Sequence, residues 1–489
     1  MKMVKSLLLG SAAGLVAIAG AQAADLPVKA KPVQYVKICS LYGVGFYYIP
    51  GTDMCLKVGG WLRWQTHYNV NGNSTNGPLV GNVNNRTTND FTFRARGYIT
   101  ADARNQTAYG TVRSYLDVGF STDQYAAAGA VAPALSVNRA FIQWAGFTFG
   151  LAQSFYDFYS QPAVQYFGWG GASDTGDGGQ FVYGYTAQFG NGWSATIAAE
   201  AARRSDLINV NNTGTIPANT ISGTLLTNSY AGANTMDPVA NIRLDQTWGA
   251  FQVMGALHQV TGTYYGTTEW TGHPGDKWGY AVGVGLKLNA PMVGPGDYFQ
   301  AQFNYTEGAA KYVANTPAGT AMSAYQGQNV GWGIYSDGVY SNNAAGNIAA
   351  TIQLTTTWGV NASYEHFWNT QWRTSLWGAY NETDYNSTAN AALCGGNTGL
   401  VNGSLGVTYN SGVGSCNQDF KVYAVGTRTQ WNVTPDFYMG VEVVYTKLDQ
   451  SQTGTVTLPA VGTKAAGVYT TSDMDAWGGY FRVHKDFYP

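Results

Sequence analysis

From Leu56 onward the chain alternates apolar and polar residues at every second position, segment after segment, and this period limits its fold more than any other feature. In Leu56–His67 the even positions Leu56, Val58, Leu62 and Trp64 are apolar, while the odd positions include Lys57, Arg63, Gln65 and His67. In Phe91–Asp102, Phe91, Phe93, Ala95 and Ile99 oppose Thr92, Arg94, Arg96, Tyr98, Thr100 and Asp102. Thr107–Phe120 sets Thr111, Arg113, Tyr115 and Asp117 against Val112, Leu116, Val118 and Phe120. Leu135–Trp144 sets Arg139 and Gln143 against Ala140, Ile142 and Trp144. Successive side chains of a strand point to opposite faces, so each segment reads as a strand with one apolar face.

The pattern predicts strands at 55–68, 90–103, 107–120, 135–145, 147–153, 180–189, 192–202, 238–248, 250–262, 277–290, 297–307, 351–367, 371–384, 419–432, 436–448 and 475–488, sixteen in all. Tight connections fall near 104–106, 146, 190–191, 249, 291–296, 368–370 and 433–435, and alternate with long ones such as 203–237, 308–350, 385–418 and 449–474. Asn191-Gly192, between two alternating runs, is a strong hairpin signal. Short turns at one end and long loops at the other, with an even strand number, is the layout of an outer-membrane β-barrel. The expected fold is therefore all-β: a 16-stranded antiparallel transmembrane barrel with its third long loop folded into the lumen. A propeller would repeat a blade signature about every 40–50 residues, and the chain has none.

Composition agrees. Only 11% of residues are charged, against about 25% in soluble globular proteins. Aromatics make up 14%, and Trp61, Trp64, Trp144, Trp193, Trp248, Trp278, Trp358, Trp368, Trp372, Trp431 and Trp477 fall near strand ends. Together they suit two interfacial girdles, although any one of them alone reads equally well as packing.

Residues 1–23 read as an export signal. Lys2 and Lys5 precede the 14-residue apolar run LLLGSAAGLVAIAG, and Ala21-Gln22-Ala23 is a cleavage site that would leave Ala24 as the mature end. Residues 24–53 form an irregular lead-in and 54–489 the barrel. Loss of Lys2 and Lys5 leaves 24 basic against 28 acidic residues, which argues against a nucleic-acid partner driven by net positive charge. The four cysteines suit an oxidising compartment. They admit three connectivities, of which the sequence-local Cys39/Cys55 and Cys394/Cys416 is the simplest. No C-x-x-C is present and the histidines at 67, 258, 273, 366 and 484 are scattered, so no metal site or cofactor is expected.

Between the strands predicted at 147–153 and 180–189 the period breaks over Ser154–Gly179, 26 residues with seven aromatics, six glycines and the aspartates Asp157, Asp174 and Asp177. A loop of that length in a compact fold is functional or disordered. It reads as the loop that narrows a pore. Arg63, Arg94, Arg96, Arg113 and Arg139 fall on the polar parity of the first four strands and form one basic wall. A lipid-facing arginine at mid-depth costs about 2–4 kcal/mol, which fixes that parity toward the lumen. With the loop turned inward, its carboxylates face the guanidinium groups and set up a transverse field that selects hydrated solutes. The bland reading is that these arginines belong to a solvated, paired wall.

Catalytic signals are weak, and no enzyme is expected. His258, His366 and His484 lie on predicted strands without a G-x-S-x-G elbow. GWGGASDTGDGG lacks the Lys-Ser/Thr of a phosphate loop and the ligand spacing of a calcium loop.

Four stretches resemble the general porins of alphaproteobacteria: ADLPVKAKPVQYVKICSLYGVGFYYIPGTDMCLKVGG at 24–60, FRARGYI at 93–99, FGNGWSA at 189–195 and FRVHKDFYP at 481–489. The resemblance runs the length of the mature chain, through order and spacing in its interior. It implies a trimeric sixteen-stranded barrel with the third long loop as constriction and Cys39–Cys55 bridged. Arg94, Arg96, Arg113 and Asp157 or Asp174 fit the roles of the family's eyelet. The end Phe487-Tyr488-Pro489 matches the family's; the Cys394/Cys416 bridge is not carried by the resemblance. Some relatives with an Ala-Asp mature end are joined to peptidoglycan, and Ala24-Asp25 is similar.

The expected function is passive diffusion of ions and small hydrophilic solutes through the bacterial outer membrane. The expected partners are outer-membrane lipid and lipopolysaccharide, two further copies of the chain, and peptidoglycan. A substrate-specific channel or surface receptor is the alternative. Loops 203–237 and 308–350 have few aromatics for stacking on a sugar, which favours the first reading. A secreted soluble β-protein would need a partner sheet for its apolar faces.

Overall fold

The computed structural model describes residues 37–69, 79, 90–124, 134–168, 170–171, 173–215, 224–266, 268–314, 321–341, 350–394, 408–458, 460 and 464–487. The expected signal segment, Ala24-Asp25 and the terminal Tyr488 and Pro489 lie outside them.

Sixteen strands among the described residues form the barrel: β1 (Cys55–Tyr68), β2 (Phe91–Thr107), β3 (Gly110–Gln124), β4 (Ala134–Trp144), β5 (Phe147–Ala152), β6 (Gln180–Gly190), β7 (Trp193–Glu200), β8 (Asp237–Gln246), β9 (Gly249–Val260), β10 (Lys277–Asn289), β11 (Tyr298–Glu307), β12 (Thr356–Phe367), β13 (Trp372–Asp384), β14 (Phe420–Thr434), β15 (Phe437–Gln450) and β16 (Met474–Asp486). Each pairs antiparallel with the next, and β16 returns to β1 with Trp61 opposite Asp486 and Tyr68 opposite Gly479. The ring is closed, so its sheet has no edge and every ladder position finds a partner inside lipid.

The alternation has the expected sense. Leu62, Ile99, Phe120 and Ile142 are exposed on the outer face, while Thr92, Tyr98, Thr100 and Asp102 are buried on the inner one. One local break preserves it. Asn138 forms a bulge between the pairs Asp117–Arg139 and Val118–Val137. Both Asn138 and Arg139 are thereby withdrawn from the outer face, and Leu135 and Val137 remain exposed outside it.

Three expectations change. The β2–β3 turn is at Ala108-Tyr109, not 104–106; the ladder runs on to the pair Thr107–Gly110. Gly110 has φ 105° and the Thr107 hydroxyl accepts from the Tyr109 N–H, so the chemistry of these residues places the turn, and Asn105 stays in the strand. The strand expected over 351–367 is broken: Gln353–Leu354 pairs with Ser336–Tyr340, and β12 begins at Thr356. The long loops also carry sheets of their own. One joins Thr224–Asn228, Asp206–Thr215, Ser336–Tyr340 and Gln353–Leu354. Another joins Ala321–Gln326, Asn329–Ile334, Gly467–Thr471, Thr453–Leu458 and Thr408–Ser415. Trp332, Ile334, Tyr385, Leu393 and Tyr469 pack into an apolar core between them.

Both disulfides are present, Cys39–Cys55 and Cys394–Cys416. The first ties the lead-in to the start of β1, where Tyr47–Tyr48 also pairs with Cys55 and Leu56. Phe487 closes the other end of the ring, its N–H bonded to the Gly60 carbonyl and its ring against Gly60.

Candidate functional site: the loop after β5 and the arginine wall

A segment without a ladder must satisfy its backbone groups elsewhere. The stretch 154–179 does so on side chains of the inner barrel face. Near its start, Glu200 at the end of β7 accepts from the Ser154 hydroxyl (2.6 Å) and the Phe155 N–H (2.8 Å), and Asn241 of β8 donates to the Phe155 carbonyl (2.6 Å). Gln302 of β11 accepts from the N–H groups of Phe158 (3.0 Å) and Tyr159 (2.7 Å). Asn361 of β12 accepts from Gly171 N–H (2.6 Å), and Ser375 of β13 donates to the Val164 carbonyl. Arg428 of β14 donates to the Ala163 carbonyl at 2.9 Å and forms a buried pair with Glu365 at 2.6 Å. Glu442 of β15 accepts from Tyr166 N–H (2.6 Å), Phe167 N–H (2.8 Å) and the Trp377 indole (2.6 Å). The segment leaves β5 and is therefore bonded to strands far round the ring. Two glycines permit the close approach: a Cβ on Gly171 would lie 2.2 Å from the Tyr380 carbonyl, and one on Gly359 would lie 2.2 Å from the Gly171 carbonyl.

The aspartates face inward on the segment itself. Asp157 accepts from Ser173 Oγ (2.6 Å) and Thr175 N–H (2.7 Å), and pairs with Arg203 at 3.3 Å, both side chains buried. Asp174 accepts from the N–H groups of Gln161 (2.7 Å) and Gly176 (2.8 Å). The expected opposition of Asp157 to the wall arginines is therefore replaced by a pair with Arg203, in the connection that follows β7. The Asp177 side chain lies outside the described residues. Burial opposes the charge of Arg203, but Asp157 and Glu200 outweigh it and hold its pKa above the usual value. Burial also pushes the Tyr156 and Tyr159 phenols well up, and pushes the Lys311 ammonium down against the pull of Asp337 and Asp206.

The five expected arginines do not share one level. Arg63, Arg94 and Arg96 line a cavity of about 630 Å³ together with Asp174, Arg203, Arg204, Lys311 and Arg482. Arg113 and Arg139 line a second cavity of about 830 Å³, with Asp157, Gln143 and Arg243. Arg113 pairs with Asp102 at 3.0 Å, and Arg139 donates to the Gly176 carbonyl at 2.5 Å. Segment 154–179 contributes to both linings. Arg482, Arg203, Arg204 and Lys311 were not among the expected site residues. Arg482 had a signal, since it alternates with Phe481 and Val483 on the last strand.

A family model described as "Porin subfamily" matches residues 25–480. The chain belongs to that subfamily. Among curated relatives, this porin is 35% identical over 216 residues to the porin Omp2a of Brucella melitensis, covering 40% of this chain and 56% of the relative. It is 35% identical over 160 residues to the putative outer membrane protein y4fJ of Sinorhizobium fredii, covering 31% and 43% of the two chains. The chain thus spans about half the length of these curated relatives. Its fold is similar to that of the outer membrane channel DcaP of Acinetobacter baumannii, with TM-score 0.56 and 13% identity over 90% of this chain and 99% of the other.

Proposed function

We propose that this porin is a passive diffusion channel of the bacterial outer membrane, open to ions and small hydrophilic solutes, and that segment 154–179 is its constriction. The observation that carries the reading is the bonding of this segment to inner-face side chains from β8 to β15, with two arginine-lined cavities to which the segment contributes. Arg63, Arg94, Arg96 and Asp174 then line the constriction, and Arg113, Arg139 and Asp157 the neighbouring vestibule. Assembly into homotrimers, removal of residues 1–23 and attachment through Ala24-Asp25 are parts of the reading that rest on the family resemblance.

The test is the mature chain, refolded in detergent and added to a planar bilayer. Stable conductance steps that close in threes and rise linearly with salt are expected. A correctly folded barrel that gives no steps, or whose current saturates with a single sugar, overturns the reading in favour of a receptor or a substrate-specific channel.

A further inference from the structure

We infer that the cavity between segment 154–179 and strands β16, β1 and β2 is an oxyanion-binding subsite centred on Arg63 and Arg482, which makes the channel favour small multivalent oxyanions such as inorganic phosphate. The inference rests on the pore reading and names its solute class.

Barrel closure builds the site. On adjacent strands Arg482 lies opposite Gln65 and Gln65 opposite Arg94; in the next inward-facing row, His484 lies opposite Arg63 and Arg63 opposite Arg96. Like charges directly opposite in a ladder destabilise it. A sequence that breaks a local rule in this way does so where function asks for it.

Aromatic faces hold these cations and leave their charge in place. The Arg63 guanidinium lies 4.5 Å from the Trp61 ring centroid, and that of Arg482 lies 4.0 Å from the Tyr166 ring of the loop. Ring faces attract a cation without neutralising it. Among the described residues no carboxylate lies within ion-pair distance of Arg63 or Arg482; the polar partner of Arg63 is His484 at 3.1 Å. Arg482 is only 6% exposed, and its Nε has no hydrogen-bond partner. Arg482 nevertheless contributes to the cavity lining.

The nearby acids leave Arg63 and Arg482 without a carboxylate: Asp123 pairs with Arg94 at 3.2 Å. Asp157 is spent on Arg203 and the loop, and Asp174, the sole carboxylate of the lining among the described residues, caps two loop N–H groups. Guanidinium forks match the oxygens of phosphate, and low-dielectric walls strengthen the field between them. The cavity, about 630 Å³, admits inorganic phosphate or a small phosphate ester with some of its hydration.

The experiment measures wild type, Arg63→Gln, Arg482→Gln and, as control, Lys485→Gln, which sits on β16 but pairs with Asp436 at the turn. Zero-current potentials in a tenfold KCl gradient should carry the sign of chloride in the wild type. Inorganic phosphate added to one side should reduce the chloride current saturably. Loss of one charge-assisted partner should weaken that half-effect about tenfold in Arg63→Gln and Arg482→Gln, and leave Lys485→Gln at the wild-type value. If Arg482→Gln does not fold, shown by loss of heat-modifiable mobility, Arg63→Gln and the wild-type potential decide. A potential of potassium sign, or a phosphate response that Arg63→Gln leaves unchanged, overturns the inference while the steps keep the pore reading intact. A folded barrel without any steps overturns both.

Discussion

Glu442 on β15 accepts the backbone N–H of Tyr166 at 2.6 Å, tying the middle of segment 154–179 to a strand far from the one it leaves. The same carboxylate takes the Phe167 N–H and the Trp377 indole. Glu442→Ala strands three buried donors, each worth about 1–3 kcal/mol when left unsatisfied. The ring of strands does not depend on them. The variant should keep a folded barrel while its open-channel current becomes noisier and its steps larger. Single-channel recording checks this; steps and noise equal to wild type would show that the Glu442 bonds do not fix segment 154–179 in a position that limits the current.

Asp337, in the loop strand Ser336–Tyr340, gathers three connections at the long-loop end. It accepts from the Ala310 N–H (2.8 Å), the Ser205 N–H (2.8 Å) and the Tyr230 hydroxyl (2.6 Å). The imidazole of His258 lies 3.6 Å from it and is bonded to Asp237 on its other side. Asp337→Ala should loosen 203–236 and 308–355 together and leave β8 and β9 paired. Limited proteolysis read by mass spectrometry should find new cuts in both loops and none in the strands. Cuts confined to one loop would mean that the carboxylate does not join them.

The strands, their parity and the inward placement of Arg63, Arg94, Arg96, Arg113 and Arg139 were legible because a period of two survives any detail of the turns. Sheet closure was harder to read. Arg482 joins Arg63 only because the last strand pairs with the first, and no local pattern announces that neighbourhood. Arg203 escaped for a different reason: it stands in an irregular stretch, and its role follows from where Asp157 turns once Ser173 and Thr175 bond to it. The two loop sheets were missed because Leu207–Val210 and Val330–Ile334 bury successive residues on both faces and their strands pair across distant loops, which erases the simple alternation.

Cys394–Cys416 closes a loop of sequence separation 22 and ends the helix Ser387–Cys394, whose Ala389, Ala392 and Leu393 enter the apolar core of the loop sheets. Closing such a loop stabilises by about 3 kcal/mol through the unfolded chain. Cys394→Ser/Cys416→Ser should speed hydrogen exchange in 387–394 and around Trp332, with exchange in β13 and β14 unchanged. An equal loss of protection in those strands would mean that cap and barrel unfold as one unit.

Ile99, at mid-length of β2, is 59% exposed on the outer face, and its neighbours Tyr98 and Thr100 are buried inside. The parity assignment makes that face lipid, so Ile99→Arg should cost about 2–4 kcal/mol in a bilayer. Gln188 lines the polar cavity near the turns, where a new arginine keeps its water, so Gln188→Arg should differ from wild type by less than about 0.5 kcal/mol. Equilibrium refolding into phospholipid vesicles across a guanidinium series measures both. Equal, small costs for the two substitutions would mean that the outer face at Ile99 is covered by something other than lipid, and a copy of the same chain would then be the first occupant to look for by crosslinking at that position.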